Sequence, residues 1–79
     1  MPETDEYALG AVTAATAAKA VSDGHADMAV AILESYQGPQ EPLVLALAIL
    51  AGRGIRPGEG VPEIMNALDK GIRRFRARL

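Results

Sequence analysis

Apolar residues recur at helical spacing in four segments of this 79-residue chain, and glycine or proline separates the segments. Steps of three or four residues place the apolar side chains of a helix on one face. Gly24 is expected to stop the first helix, and Pro42 is suited to the start of the third. The pattern predicts helices over residues 5–22, 25–37, 42–51 and 62–78, with a glycine- and proline-rich loop over 52–61.

The first predicted helix has Thr4 as its expected N-cap and carries a stripe of small residues. Small side chains let a neighbouring helix approach closely. The turn between the first two helices is short, so they should form an antiparallel hairpin. The expected fold class is all-α: one compact four-helix domain over residues 1–79, made of two helical hairpins.

The fourth helix has the clearest amphipathic pattern. Its apolar residues step by 4, 4, 3 and 4 positions along one face, through Ile64, Leu68, Ile72, Phe75 and Leu79. Gly71 lies in the middle of this helix, where glycine costs about 1 kcal/mol relative to alanine. We therefore expect a close backbone contact at Gly71.

The third helix is apolar on all sides, because residues 43–51 include no polar side chain. A helix of this kind is enclosed by its own domain or covered by another polypeptide. Three short neighbouring helices can hardly cover its whole circumference, so we expect the chain to self-associate or to bind another protein. The candidate partner-binding residues are Leu43, Leu45, Leu47, Ile49 and Leu50.

Composition narrows the possible chemistry. The chain has no cysteine, and His25 is its only histidine. Disulfides and thiolate zinc sites are therefore excluded. The neighbours of His25 indicate a helix junction rather than a nucleophile with its base. We expect no catalytic residue, no metal and no cofactor, so the chain is interpreted as a non-enzyme.

Charge is unevenly distributed. Residues 1–52 hold seven acidic residues and one lysine, whereas residues 53–79 hold seven basic and three acidic residues. The basic end indicates an alternative function, a nucleic-acid or polyanion binder. The net charge of −2 and the few aromatic residues disfavour nucleic acid. The candidate anion contacts are Arg53, Arg56, Arg73, Arg74, Arg76 and Arg78.

Two short motifs bear on function. The glycines of residues 52–60 are spaced as in some phosphate-binding loops. Such loops follow a strand, whereas a predicted helix precedes these glycines, so we expect a plain connector.

Gly24, Ala29 and Leu33 resemble the turn glycine and second-helix positions of a tetratricopeptide repeat. That resemblance covers about half of one repeat, and it implies only a helical hairpin.

The acidic N-terminal residues are unlike a secretory signal, and the longest apolar run is too short to span a membrane. We therefore expect a cytoplasmic protein. Its frequent alanine, glycine and arginine indicate a bacterial or phage origin.

The leading hypothesis is a non-enzymatic protein–protein interaction module that acts by docking of apolar helices. Such a module would be a small adaptor, regulator, inhibitor or assembly component.

Overall fold

The structure, a computed structural model, describes residues 5–78. Four helices follow one another in the order α1 (Asp5–Ser22), α2 (Ala26–Glu34), α3 (Gln40–Arg53) and α4 (Val61–Ala77). The described residues include no strand. The predicted all-α, four-helix fold is confirmed. The predicted N-cap Thr4 and the last residue of the α4 stripe, Leu79, lie outside the described residues.

Helices α2 and α3 differ most from their predicted bounds, whereas α1 has the predicted bounds and each end of α4 lies one residue from its predicted position. Helix α2 ends at Glu34 rather than at residue 37, because the following residues form their own turn: the Tyr36 hydroxyl donates a hydrogen bond to the Pro39 carbonyl (2.6 Å). Helix α3 begins at Gln40, so Pro42 lies within the first turn, where a missing N–H costs nothing. It continues to Arg53 and ends at Gly54, whose positive φ of 80° suits glycine.

Helix α1 is the centre of the domain, because it contacts α2, α3 and α4. Its small residues explain this position: Ala14 and Ala15 are fully buried. Gly10 lies against the start of α3, where a Cβ atom would be 2.9 Å from the backbone of Pro42 and of Leu43. Helices α3 and α4 also contact each other, whereas α2 contacts only α1 among the described helices.

The core has two parts of unequal size. Helix α2 closes a small alanine cluster formed by Ala17, Ala20 and Ala29. The main core lies between α1, α3 and α4 and consists of eight buried residues: Ala11, Ala14, Ala15, Ala46, Leu50, Ile64, Leu68 and Ile72. Alanine side chains fill much of the interior, so the helix backbones lie close together.

The apolar stripe of α4 enters the core over most of its length. Ile64, Leu68 and Ile72 are buried, but Phe75 is 41% exposed although it lies on the same face. A Cβ atom at Gly71 would be 3.0 Å from the side chain of Ile49 on α3. The close contact predicted at this glycine is therefore present, but its partner is a side chain rather than a backbone.

Candidate interaction surfaces

The five predicted partner-binding residues of α3 are divided between the core and its border. Leu50 is only 6% exposed and belongs to the main core, so it is not on the surface of this fold. The other four are partly buried and pack against that core: Leu43, Leu45, Leu47 and Ile49. The chain thus covers more of α3 than its uniformly apolar sequence indicates.

One strip of α3 remains uncovered. Val44 is 59% exposed, and Ala48 and Ala51 are exposed as well. These three residues, called here the outer face of α3, are spaced by four and three and therefore share one side of the helix. No charged residue occurs between Glu41 and Arg53. Sequence reasoning missed Val44, because an all-apolar helix has no polar residue to mark its exposed side.

Helices α1 and α4 border a second surface feature, an open groove of about 260 Å³. It is called here the α1–α4 groove. Its volume is below the roughly 300–1,000 Å³ of typical small-molecule sites. Its walls combine apolar residues from both helices with charged residues from α4: Tyr7, Ala8, Ala11, Met65, Asp69, Ile72, Arg73 and Arg76.

Four of the six predicted anion contacts lie together near the end of α4, and all four are exposed. The Arg76 guanidinium lies over the Tyr7 ring, 4.8 Å from the ring centre. Arg73 pairs with Asp69, with 3.2 Å between Nε and the carboxylate oxygen. These two arginines line the groove, whereas Arg74 and Arg78 do not. The basic end of α4 therefore has one side that faces the groove and another that faces away from it.

Arg53 has a structural role in the loop between α3 and α4. Its guanidinium forms a two-pronged ion pair with Glu59 and also donates a hydrogen bond to the Gly54 carbonyl (3.0 Å). The backbone N–H of Arg56 donates to the same carboxylate (2.8 Å). These hydrogen bonds, from Arg53 first and then from Arg56, lower the pKa of Glu59 to about 2. The Glu59 contact raises the pKa of Arg53.

This loop, over residues 54–60, is a connector that the bonds from Arg53 and Arg56 to Glu59 hold in place. Gly54 and Gly58 adopt positive φ angles of 80° and 85°, which explains their presence. Of the two predicted anion contacts in this part of the chain, Arg53 is occupied by Glu59, whereas Arg56 is exposed. The two are thus not equivalent as candidate anion contacts.

His25 is exposed at the start of α2. Within residues 5–78, no group of three or more histidine, cysteine or acidic residues is placed to hold a metal ion. None of the four described helices combines the length and the apolar character that crossing a membrane requires.

Comparison of the chain with protein-family models, curated proteins and solved structures gives no match.

Proposed function

We propose that this chain is a cytoplasmic, non-enzymatic interaction module that docks an apolar helix of another polypeptide, here a second copy of itself, on the outer face of α3. The exposed, uncharged strip of Val44, Ala48 and Ala51 is the observation that supports the proposal. Its two alanines would let the backbone of a docked helix come close. The partly buried Leu45 and Leu47 flank the strip and would enlarge the contact.

The free energies of burial and of association limit how tight such a contact can be. Fully burying one valine contributes about 1.5–3 kcal/mol. Association costs roughly 4–15 kcal/mol in lost freedom of motion. Val44 alone therefore cannot hold a complex, and the flanking leucines must contribute. We expect weak, reversible self-association that becomes visible only at high protein concentration.

Analytical ultracentrifugation over a wide concentration range tests this proposal. The wild type should sediment as a dimer or larger species at the highest concentrations. Val44→Lys should shift it toward the monomer, because the outer face of α3 would then carry a charge. Val21→Lys is a matched control, since Val21 is a valine of similar exposure (56%) at the end of α1.

A monomeric wild type at the highest concentration would contradict the proposal. So would equal weakening by the two lysine substitutions, because an effect of net charge alone does not depend on the position of the lysine. Circular dichroism should show the same helix content for all three proteins.

The exposed arginines support a second candidate function, the binding of nucleic acid or another polyanion. Arg73, Arg74 and Arg76 lie in the last turns of α4, and Arg78 is its C-cap residue. Binding through phosphate contacts would weaken steeply as salt rises. Fluorescence anisotropy with labelled duplex DNA and labelled RNA should then show salt-sensitive binding that Arg74→Ala/Arg78→Ala reduces. Absence of binding at low salt would exclude this function.

A further inference from the structure

The α1–α4 groove is a separate surface from the outer face of α3, and its size favours side chains over a free ligand. Among its lining residues Ala11 and Ile72 are buried and Met65 is partly buried, so these side chains form an apolar floor. At about 260 Å³ it is smaller than most sites that enclose a small molecule. An occupant that inserts a few apolar side chains from a helix fits this shape.

The rim of the groove is positively charged. Asp69 is paired with Arg73, and Arg76 lies over Tyr7, which leaves a net positive charge among the lining residues. The occupant should therefore carry carboxylates beside its apolar side chains, because complementary charges favour the encounter of two surfaces.

Helix α2 of the same chain has this chemistry. It includes no basic residue, and Asp27 and Glu34 are exposed. They are seven residues apart, so they lie two turns apart on one side of the helix. Val30, which is 53% exposed, and the exposed Ala31 lie between them on that side. This side is called here the acidic face of α2.

We propose that the α1–α4 groove of one copy binds the acidic face of α2 from a second copy. Val30 would enter the apolar floor, while Asp27 and Glu34 would meet Arg73 and Arg76. The contact must form between copies, because α2 and α4 do not contact each other within the described chain. The two surfaces differ, so a symmetric dimer would contain this contact twice.

A charge-reversal exchange tests this contact. One variant carries Asp27→Arg and Glu34→Arg, and the other carries Arg73→Glu and Arg76→Glu. Each variant alone would bring like charges together, so its dimer dissociation constant should rise at least about tenfold over wild type. An equimolar mixture should recover the wild-type affinity, because both contacts of the mixed dimer then pair opposite charges. Sedimentation velocity of labelled variants measures each case.

Arg74→Glu/Arg78→Glu is the matched control, since it makes the same charge change on arginines that do not line the groove. It should self-associate as the wild type does. If a double variant does not fold, the single reversals Glu34→Arg and Arg73→Glu replace it, and Arg73→Glu keeps the contact between Arg76 and Tyr7.

Three results would overturn the contact: a mixture that stays as weakly associated as its components, a control that weakens as much as the groove variant, or a monomeric wild type. Val44→Lys separates this inference from the proposed function. Loss of association in Val44→Lys, with wild-type affinity in both charge-reversed variants, would support the outer face of α3 and reject the groove.

Discussion

The carboxylate of Glu59 accepts hydrogen bonds from the side chain of Arg53 and from the backbone of Arg56. It thereby ties the end of α3 to the loop that leads into α4. Such bonds favour the charged form of a carboxyl group, which is why the pKa of Glu59 falls from 4.5 to about 2. At the residue scale, the loop should therefore be sensitive to acid.

Glu59→Gln should make the fold less dependent on pH. A carboxyl group whose pKa is lower in the folded chain stabilises the fold above its unfolded pKa, and this stabilisation is lost as the pH falls through the folded pKa. The wild type should melt at a higher temperature than the variant above pH 4.5, and the difference should vanish toward pH 2. Glu34→Gln, at an exposed site, is the control for net charge. A difference that does not change with pH would contradict this role of Glu59.

Gly10 and Gly52 should respond in opposite ways to alanine. A Cβ atom at Gly10 would be 2.9 Å from the backbone of α3, so Gly10→Ala should force α1 and α3 apart. Overpacking of this kind costs about 1–3 kcal/mol. Nothing lies within 4 Å of a Cβ atom at Gly52, so Gly52→Ala should stabilise its helix by up to about 1 kcal/mol. Chemical denaturation measures both, and a stabilised Gly10→Ala would show that this approach of the helices is not tight.

At the scale of helices, α2 is the least supported element. It contacts only α1 among the described helices, and Ala29 is its one buried residue. Segments with few buried contacts open locally at a lower free energy than the core. Backbone amides of α2 should therefore exchange with deuterium faster than those in the middle of α1, in conditions where the fold is stable. Equal protection of the two helices in the isolated monomer would contradict this picture.

At the scale of the whole molecule, stability and association should be linked. A partner that binds only the folded chain raises its melting temperature. At concentrations well above the dimer dissociation constant, a tenfold rise in protein concentration should raise the melting temperature by roughly 3–6 °C for a domain of this size. Val44→Lys should reduce this dependence, and Val21→Lys should retain it. Scanning calorimetry at several concentrations measures the effect, and a constant wild-type melting temperature would count against self-association.

The sequence by itself determined the four helices and the face of α4 that packs in the core. Glycine, proline and the spacing of apolar residues act locally, so Ile64, Leu68 and Ile72 could be placed in the core before any fold was known. The ends of α2 and α3 were less predictable, because a hydrogen bond from the Tyr36 hydroxyl and the tolerance of a first turn for Pro42 shift them by a few residues.

Only the tertiary structure decided which side of α3 is exposed. A helix without polar residues has no pattern that separates Leu50, which is in the core, from Val44, which is on the surface. The α1–α4 groove likewise joins Tyr7 to Arg76, residues from opposite ends of the chain. Such contacts depend on how the helices pack against one another, and that arrangement is a property of the whole fold rather than of any one segment.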